Sequence, residues 1–251
     1  MIIPVLFVWT EVPLVVPEVN PQAILKHKGI IANPNCSTII MVMALKPIYD
    51  LAKIKRVIVS TYQAVSGAGK EGIDELDAQV REHSEGREMT ANILPSASAE
   101  KHYPIAFNLI PQIDVFCDNL YTKEEMKMVN ETKKIMEDYE MRITATTIRV
   151  PVYRSHSESV NIELEKEVDL GAMREALAKF PGVTVQDDPS KQEYPMPLYT
   201  SEKDDVYVGR LRRDESCEKS YNMWVVGDQI RKGAALNTLQ IAETMIKNGW
   251  I

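Results

Sequence analysis

Gly29-Ile-Ile-Ala-Asn-Pro-Asn-Cys-Ser-Thr38, running on into Ile39-Ile-Met-Val-Met-Ala-Leu45, reads as a strand-to-helix junction with a cysteine at the turn. The apolar Gly29-Ile-Ile-Ala32 leads in, and the run from Ile39 has the length and composition of a buried helix. Outward from this junction, strong β-formers alternate with helical segments along the chain, which argues a mixed α/β fold rather than a bundle or a sandwich.

The segment Lys55-Arg-Val-Ile-Val-Ser-Thr-Tyr62 predicts a buried strand, since β-branched residues follow two charged ones and Ser66-Gly-Ala-Gly69 makes a turn soon after. A surface helix is expected over Ala68 to Glu85, then a loop from Gly86 to Pro104 that covers a cleft. Thr122 caps a helix extending to Tyr139, with Glu125 three residues later. Strands follow at Met141 to Val152 and Ser157 to Glu165, a helix at Leu170 to Phe180, strands at Val206 to Arg212 and Asn222 to Val226, and a long helix from Gly233 to Asn248. Internal repeats and low-complexity tracts are absent from the sequence.

The chain has 251 residues, of which 45% are apolar and 26% charged, enough for a sizeable core. Its net charge of −7 is spread along the sequence with no basic block, which excludes nucleic acid as a natural partner. The longest apolar stretches, Thr38 to Leu45 and Ile2 to Trp9, fall short of the roughly 20 residues that span a bilayer. The opening Met1-Ile-Ile-Pro4 lacks the positive region of a signal peptide. Three widely spaced cysteines, Cys36, Cys117 and Cys217, suit neither a disulfide framework nor a metal site, so a cytoplasmic location is expected.

Cys36 is the candidate nucleophile. At a helix start, unpaired N–H groups and the positive end of the helix dipole favour a thiolate and can stabilise an oxyanion. A cysteine beside an apolar run is also a common small core residue, and the hexapeptide Asn33 to Thr38 leaves both readings open. Cys117 reads as packing and Cys217 as surface. A thiol nucleophile needs a proton partner, and of His27, His83, His102 and His156 the last has the most suggestive setting. Arg149 precedes it by seven residues, and a turn near Pro151 to Ser155 would bring both to one cleft. Gly67 and Gly69 would let a phosphate or cofactor approach the backbone, although neither GxGxxG nor GxxxxGK[ST] occurs.

Several segments together resemble the aspartate-semialdehyde dehydrogenase family: Val12-Pro-Leu-Val-Val-Pro-Glu-Val-Asn20, Gly29 to Thr38, Ser60-Thr-Tyr-Gln-Ala-Val-Ser-Gly-Ala-Gly69, His102-Tyr-Pro-Ile-Ala-Phe-Asn108 and Pro111-Gln-Ile-Asp-Val-Phe116. The likeness continues through Glu124-Glu-Met-Lys-Met128, Glu131-Thr-Lys-Lys-Ile135, Arg149-Val-Pro-Val152, His156-Ser-Glu-Ser-Val160 and Lys232-Gly-Ala-Ala-Leu-Asn-Thr-Leu-Gln-Ile-Ala-Glu243. It implies a mixed-sheet substrate and dimerisation domain of the glyceraldehyde-3-phosphate-dehydrogenase-like type, with remnants of a Rossmann domain. It also implies reversible, NADPH-dependent reduction of L-aspartyl-4-phosphate to aspartate semialdehyde and phosphate, in a homodimer.

By the same resemblance Cys36 is the acyl-thioester nucleophile, His156 the acid/base, and Gln63 the residue that orients the intermediate. Arg149 pairs with the substrate carboxylate, Glu124 and Lys127 hold the amino group and phosphate, and Asn35 makes a further phosphate or intermediate contact. Ser66, Gly67 and Asn237 lie near the nicotinamide of NADP; no metal is implied. Family members begin with a Gly-rich nucleotide-binding βα unit, and roughly the first hundred residues of that pattern are missing here. The expected division is therefore 1–35 as a residual dinucleotide-binding piece, 36–230 as the substrate and dimerisation domain, and 231–251 as a helix returning to the first. Two alternatives stand beside this reading: an N-acetyl-glutamyl-phosphate reductase-like enzyme, and a non-catalytic dimeric fragment without cofactor binding.

Overall fold

The computed structural model describes residues 2–4 and 11–251, so part of the 1–35 piece, residues 1 and 5–10, lies outside the described residues. In chain order the elements are β1 (Ile2–Pro4), β2 (Ile31–Asn33), α1 (Cys36–Leu51), β3 (Ile54–Gln63), α2 (Lys70–Ser84), α3 (Lys123–Ile135) and β4 (Arg142–Arg149). There follow β5 (His156–Leu164), α4 (Leu170–Lys179), β6 (Val183–Val185), α5 (Pro197–Thr200), β7 (Val206–Arg213), β8 (Ser220–Gly227) and α6 (Leu236–Lys247).

Six strands form one mixed sheet in the order β4-β3-β5-β8-β7-β6. One face is covered by α1, α3 and α4. Alternate strand residues point into that core: Val57 and Val59 from β3, Val160, Ile162 and Leu164 from β5, Met223 and Val225 from β8. Every residue from Ile39 to Leu45 in α1 has no exposed surface. A helix apolar on all sides belongs inside a core, and α1 occupies the middle of this one.

Two pairings of β3, one parallel and one antiparallel, set the working end of the sheet. Strand β3 runs parallel to β4 and antiparallel to β5, with Gln63 opposite Arg149 and Tyr62 opposite Ser157. The C-terminal ends of β3 and β4 therefore meet the start of β5. The N-termini of α1 and α3 open over the same end, because Asn35 contacts both helices (below). At α3 the capping box is closed: Thr122 N–H donates to Glu125 Oε2 at 2.7 Å, and Glu125 N–H donates to Thr122 Oγ1 at 3.2 Å. Glu125 Oε1 also accepts the N–H of Thr147 at 3.0 Å, which ties the start of α3 to β4.

Some expectations change. Strands β4 and β5 are consecutive in sequence but not neighbours, since β3 lies between them. No hairpin turn brings Arg149 to His156; the shared flank on β3 does. The helix capped by Thr122 stops at Ile135, because Glu137 turns the backbone left-handed (φ 52°) before the predicted end at Tyr139. The C-terminal helix begins as a π-turn at Arg231–Ala235 and becomes regular only from Leu236. Strand β6, three residues on the sheet edge, was too short to stand out by alternation.

The segment after α2 packs on a small core of its own that includes Val65, Leu76, Leu94 and Ile105. Buried Gln79 pins it, accepting the N–H groups of Ile105 and Ala106 and donating to Thr90 O. Near the termini, Val15, Ile24, Ile31 and Ile241 form a third cluster that joins the 11–33 region to α6.

One buried carboxyl lacks a partner at both oxygens among the described residues. Glu158 on β5 has no exposed surface, and neither carboxylate oxygen finds a hydrogen bond among the described residues. Burial holds its pKa well above the ordinary carboxylate value, which favours the neutral acid in the folded chain. Because the folded pKa is raised, stability is unaffected below the unfolded pKa and falls as pH rises toward the folded one, by up to about 1.4 kcal/mol per unit. Glu158→Gln, which cannot ionise, is expected to match the parent near pH 4 and to exceed its stability increasingly at neutral and alkaline pH. Urea melts at several pH values check this; a constant difference at all pH values would count against it.

Candidate active site

Cys36 opens α1 and retains partial exposure. Asn35 before it is the N-cap: its side-chain oxygen accepts the N–H groups of Ser37 at 3.0 Å and Thr38 at 3.2 Å. This corrects the expectation of unpaired donors at the helix start, since two of them are taken by the cap. Helix α3 clamps Asn35 from both sides. Glu131 Oε2 accepts its backbone N–H at 2.7 Å, and Glu124 Oε1 accepts its side-chain amide at 2.8 Å.

The resting thiol is not a stabilised thiolate. Burial first, then the charge of Glu124, pushes the Cys36 pKa up to about 12, against the lowering influence of Arg149 and the Ser37 N–H. Desolvation thus outweighs Arg149 and the Ser37 hydrogen bonds, the groups that favour the thiolate. Cys36 also lies against the π-turn: a Cβ added at Gly233 would stand 2.9 Å from the Cys36 Cβ.

The remaining groups gather by topology. Gln63, at the end of β3, is buried and donates to Glu124 Oε1 at 3.2 Å. Arg149, at the end of β4, is 3% exposed, donates through Nη1 to Ala64 O at 2.7 Å, and has no partner for Nε among the described residues. His156, the first residue of β5, is fully buried and accepts the Ala64 N–H at Nδ1, 3.0 Å away. Gly67 is exposed and separates the two, for a Cβ there would lie 2.7 Å from Arg149 Nη1 and 3.1 Å from His156 Cε1.

Glu124 and Lys127, one turn apart on α3, form an ion pair at 3.4 Å, and Lys127 also meets Asp114 at 3.2 Å. Burial lowers the lysine pKa, but Glu124 and Asp114 more than offset it and the net shift is upward. Lys127 is therefore a fixed cation suited to an anionic group. Ser66 accepts a bond from Gln229, whose carbonyl takes the N–H of Ser155, the residue before His156. Asn237 is buried farther back: it donates to Val15 O and Asn33 Oδ1 and accepts from Lys232. It braces the termini with all its polar groups in use.

Three members of this cluster escaped the sequence reading. Glu131 lies two turns beyond Glu124 on the same face of α3, a spacing that offered a signal. Burial pushes its pKa up to about 7, against the Asn35 N–H that lowers it. Asp114 and Gln229 carried no local signal, since their partners are distant in sequence. Among the described residues, no group of three or more His, Cys, Asp or Glu side chains is arranged to hold a metal ion. No helix among them is long and apolar enough to cross a membrane.

Comparison with known proteins gives the family of the chain. A family model described as semialdehyde dehydrogenase, dimerisation domain, matches residues 45–232. Aspartate-semialdehyde dehydrogenase of Aquifex aeolicus is 55% identical over 243 residues, which cover 96% of this chain and 70% of that protein. The chain belongs to the aspartate-semialdehyde dehydrogenase family. The Bacillus subtilis enzyme of the same name is 52% identical, with 94% of this chain and 68% of that protein covered.

Among solved structures, aspartate semialdehyde dehydrogenase II of Vibrio cholerae complexed with ASA superposes with a TM-score of 0.89 at 46% identity, covering 94% of this chain and 68% of that one. Aspartate semialdehyde dehydrogenase of Candida albicans, determined with NADP, gives 0.71 at 25% identity, covering 96% and 68%. These relatives favour the aspartate-semialdehyde reading over the N-acetyl-glutamyl-phosphate alternative. As a member of this family the chain has the mixed-sheet catalytic and dimerisation fold, and its dehydrogenase relatives are oxidoreductases.

Proposed function

We propose that this chain carries the thioester chemistry of aspartate-semialdehyde dehydrogenase: reversible NADPH-dependent conversion of L-aspartyl-4-phosphate to L-aspartate 4-semialdehyde and phosphate. The observation that carries the reading is the meeting of Cys36, Gln63, Arg149, His156, Glu124 and Lys127 at one end of the sheet. Cys36 is the nucleophile. Arg149, with an unpartnered Nε, takes the substrate α-carboxylate in its planar fork. Glu124 accepts the α-ammonium, a group that an acetylated substrate lacks, and Lys127 takes the phosphate. Gln63 and Asn35 orient the acyl group from either side of Glu124.

NADP fits at exposed Gly67, where the missing side chain leaves a flat approach to His156 and Arg149, with Ser66 beside it and Asn237 supporting from behind. The cofactor, when bound, supplies or accepts the hydride. We further propose that a second copy covers the sheet face opposite α1, where a 320 Å³ cavity lined by Ser159, Arg210 and Trp224 lies open and Leu198 and Tyr199 are exposed.

The test is acylation without cofactor. L-Aspartyl-4-phosphate is expected to release phosphate in a single turnover and to add an aspartyl group to Cys36, read by mass spectrometry of a Cys36 peptide. An intact fold with no adduct, or an adduct only from the N-acetyl-glutamyl analogue, would overturn the assignment.

A further inference from the structure

Cys36 is the first residue of α1, so no earlier helical turn lies beneath its side chain to fix the direction of the thiol. Its neighbour is instead the chain that runs from the end of β8 into the π-turn at Arg231–Ala235. Two glycines of that stretch fit flush on one face of α1, against residues one helical turn apart. A Cβ at Gly227 would stand 2.9 Å from Ile40 Cγ1, and one at Gly233 would stand 2.9 Å from Cys36 Cβ and 3.3 Å from Cys36 Cα. The stem of the nucleophile therefore rests directly on backbone, and where Gly233 is held the thiol must follow.

Asp228 holds that backbone. Its carboxylate has no exposed surface and no part in the chemistry above. Oδ1 accepts the N–H groups of Ile230 at 2.9 Å and Arg231 at 3.0 Å, and the Asp228 carbonyl accepts the Gly233 N–H at 3.2 Å. Oδ2 pairs with Arg154 Nε at 2.6 Å and accepts the Glu202 N–H at 2.7 Å. The Gln229 side-chain carbonyl accepts the Ser155 N–H at 2.9 Å, so residues 228 and 229 both grip segment 154–155. A π-turn is a rare backbone state found mostly at functional sites. Here it is secured by a buried charge whose two oxygens are both engaged, the condition under which such a charge is retained.

We infer that Asp228 is a positioning residue for the nucleophile: by tying the π-turn to segment 154–155 it keeps Gly233 against Cys36 and so sets the direction of the thiol. This rests on the thioester reading of the site. Asp228 touches no substrate group and acts through Gly233. Its effect falls on the rate of acylation rather than on substrate affinity, because Arg149, Glu124 and Lys127, which hold the substrate in that reading, stand on β4 and α3.

Two variants test the assignment. Asp228→Asn keeps the shape and one acceptor for the turn but sets an amide, which only donates, toward Arg154 and the Glu202 N–H. The saturating single-turnover rate of Cys36 acylation by L-aspartyl-4-phosphate is expected to fall about 10–10²-fold, the scale of a small misplacement of a reacting atom, with the half-saturating concentration within about threefold of the parent. Released from the turn, Cys36 should meanwhile react with iodoacetamide about threefold faster or more, relative to exposed Cys217 of the same chain. A carboxylate that only stabilised the fold would not move the two reactions in opposite directions. Gly233→Ala, which drives a methyl group at Cys36 without touching the carboxylate, is expected to lose acylation rate to a similar extent. Thermal melts establish that each variant is folded. If Asp228→Asn melts below the assay temperature, Arg154→Gln, which removes only the outer anchor, is measured in its place with the same expected split.

A parental acylation rate in either folded variant, or a loss confined to the half-saturating concentration, would overturn the inference while leaving Cys36 as the nucleophile. If the parent itself forms no adduct, the thioester reading fails instead, and an unchanged ratio of Cys36 to Cys217 alkylation would separately overturn the positioning role.

Discussion

Cys36→Ser is expected to abolish acylation by L-aspartyl-4-phosphate, a loss of at least about 10⁴-fold, with little change in thermal stability. The side chain is only partly buried, so exchange of sulfur for oxygen leaves no large cavity. The chemical effect is severe because a serine hydroxyl is a weaker nucleophile unless a base removes its proton. The Glu124 carboxylate is no substitute base for the hydroxyl, since it already accepts from Asn35, Gln63 and Lys127. Phosphate release and peptide mass together measure the outcome; acylation of the variant at the parental rate would refute the nucleophile assignment.

Gly67→Ala is expected to cost about 10²-fold or more in the same reaction, from a single added methyl group. The backbone at Gly67 is not in the left-handed region, so alanine meets no conformational penalty there. What it meets is the site itself, with Arg149 Nη1 at 2.7 Å and His156 Cε1 at 3.1 Å from the new carbon. Arg149 is anchored on Ala64 O and His156 on Ala64 N–H. Relief therefore requires one of two buried bonds to stretch, and both orient side chains of the proposed site. A stable variant with a large loss of acylation rate is the predicted result. Parental activity would mean that the guanidinium can retreat freely, and that its anchor on Ala64 does not matter.

Both effects depend on distances that no sequence pattern encodes, which bears on how far the sequence could be read. The alternation Val160, Ile162, Leu164 placed β5 correctly, and the Thr122–Glu125 spacing placed the start of α3, because strand alternation and helix capping involve neighbours in the chain. Element ends were less legible. The left-handed Glu137 ends α3 early, and the π-turn at Arg231–Ala235 delays the regular start of α6. The resemblance supplied Cys36, Gln63, Arg149 and His156 as a set, but not the reason they meet.

By itself the sequence determined the alternation of strands and helices, a cysteine at a β-to-α junction, and the family of the chain. Only the tertiary structure decided the state of that cysteine. The expectation of a thiolate favoured by a helix terminus gave way because desolvation and Glu124 raise the thiol pKa to about 12, and because Asn35 takes two of the N–H donors, those of Ser37 and Thr38. The physical reason is range. Periodicity and capping act over a few residues, whereas burial, charge and the sharing of the Ala64 peptide between Arg149 and His156 arise where segments 64, 149 and 156 come together.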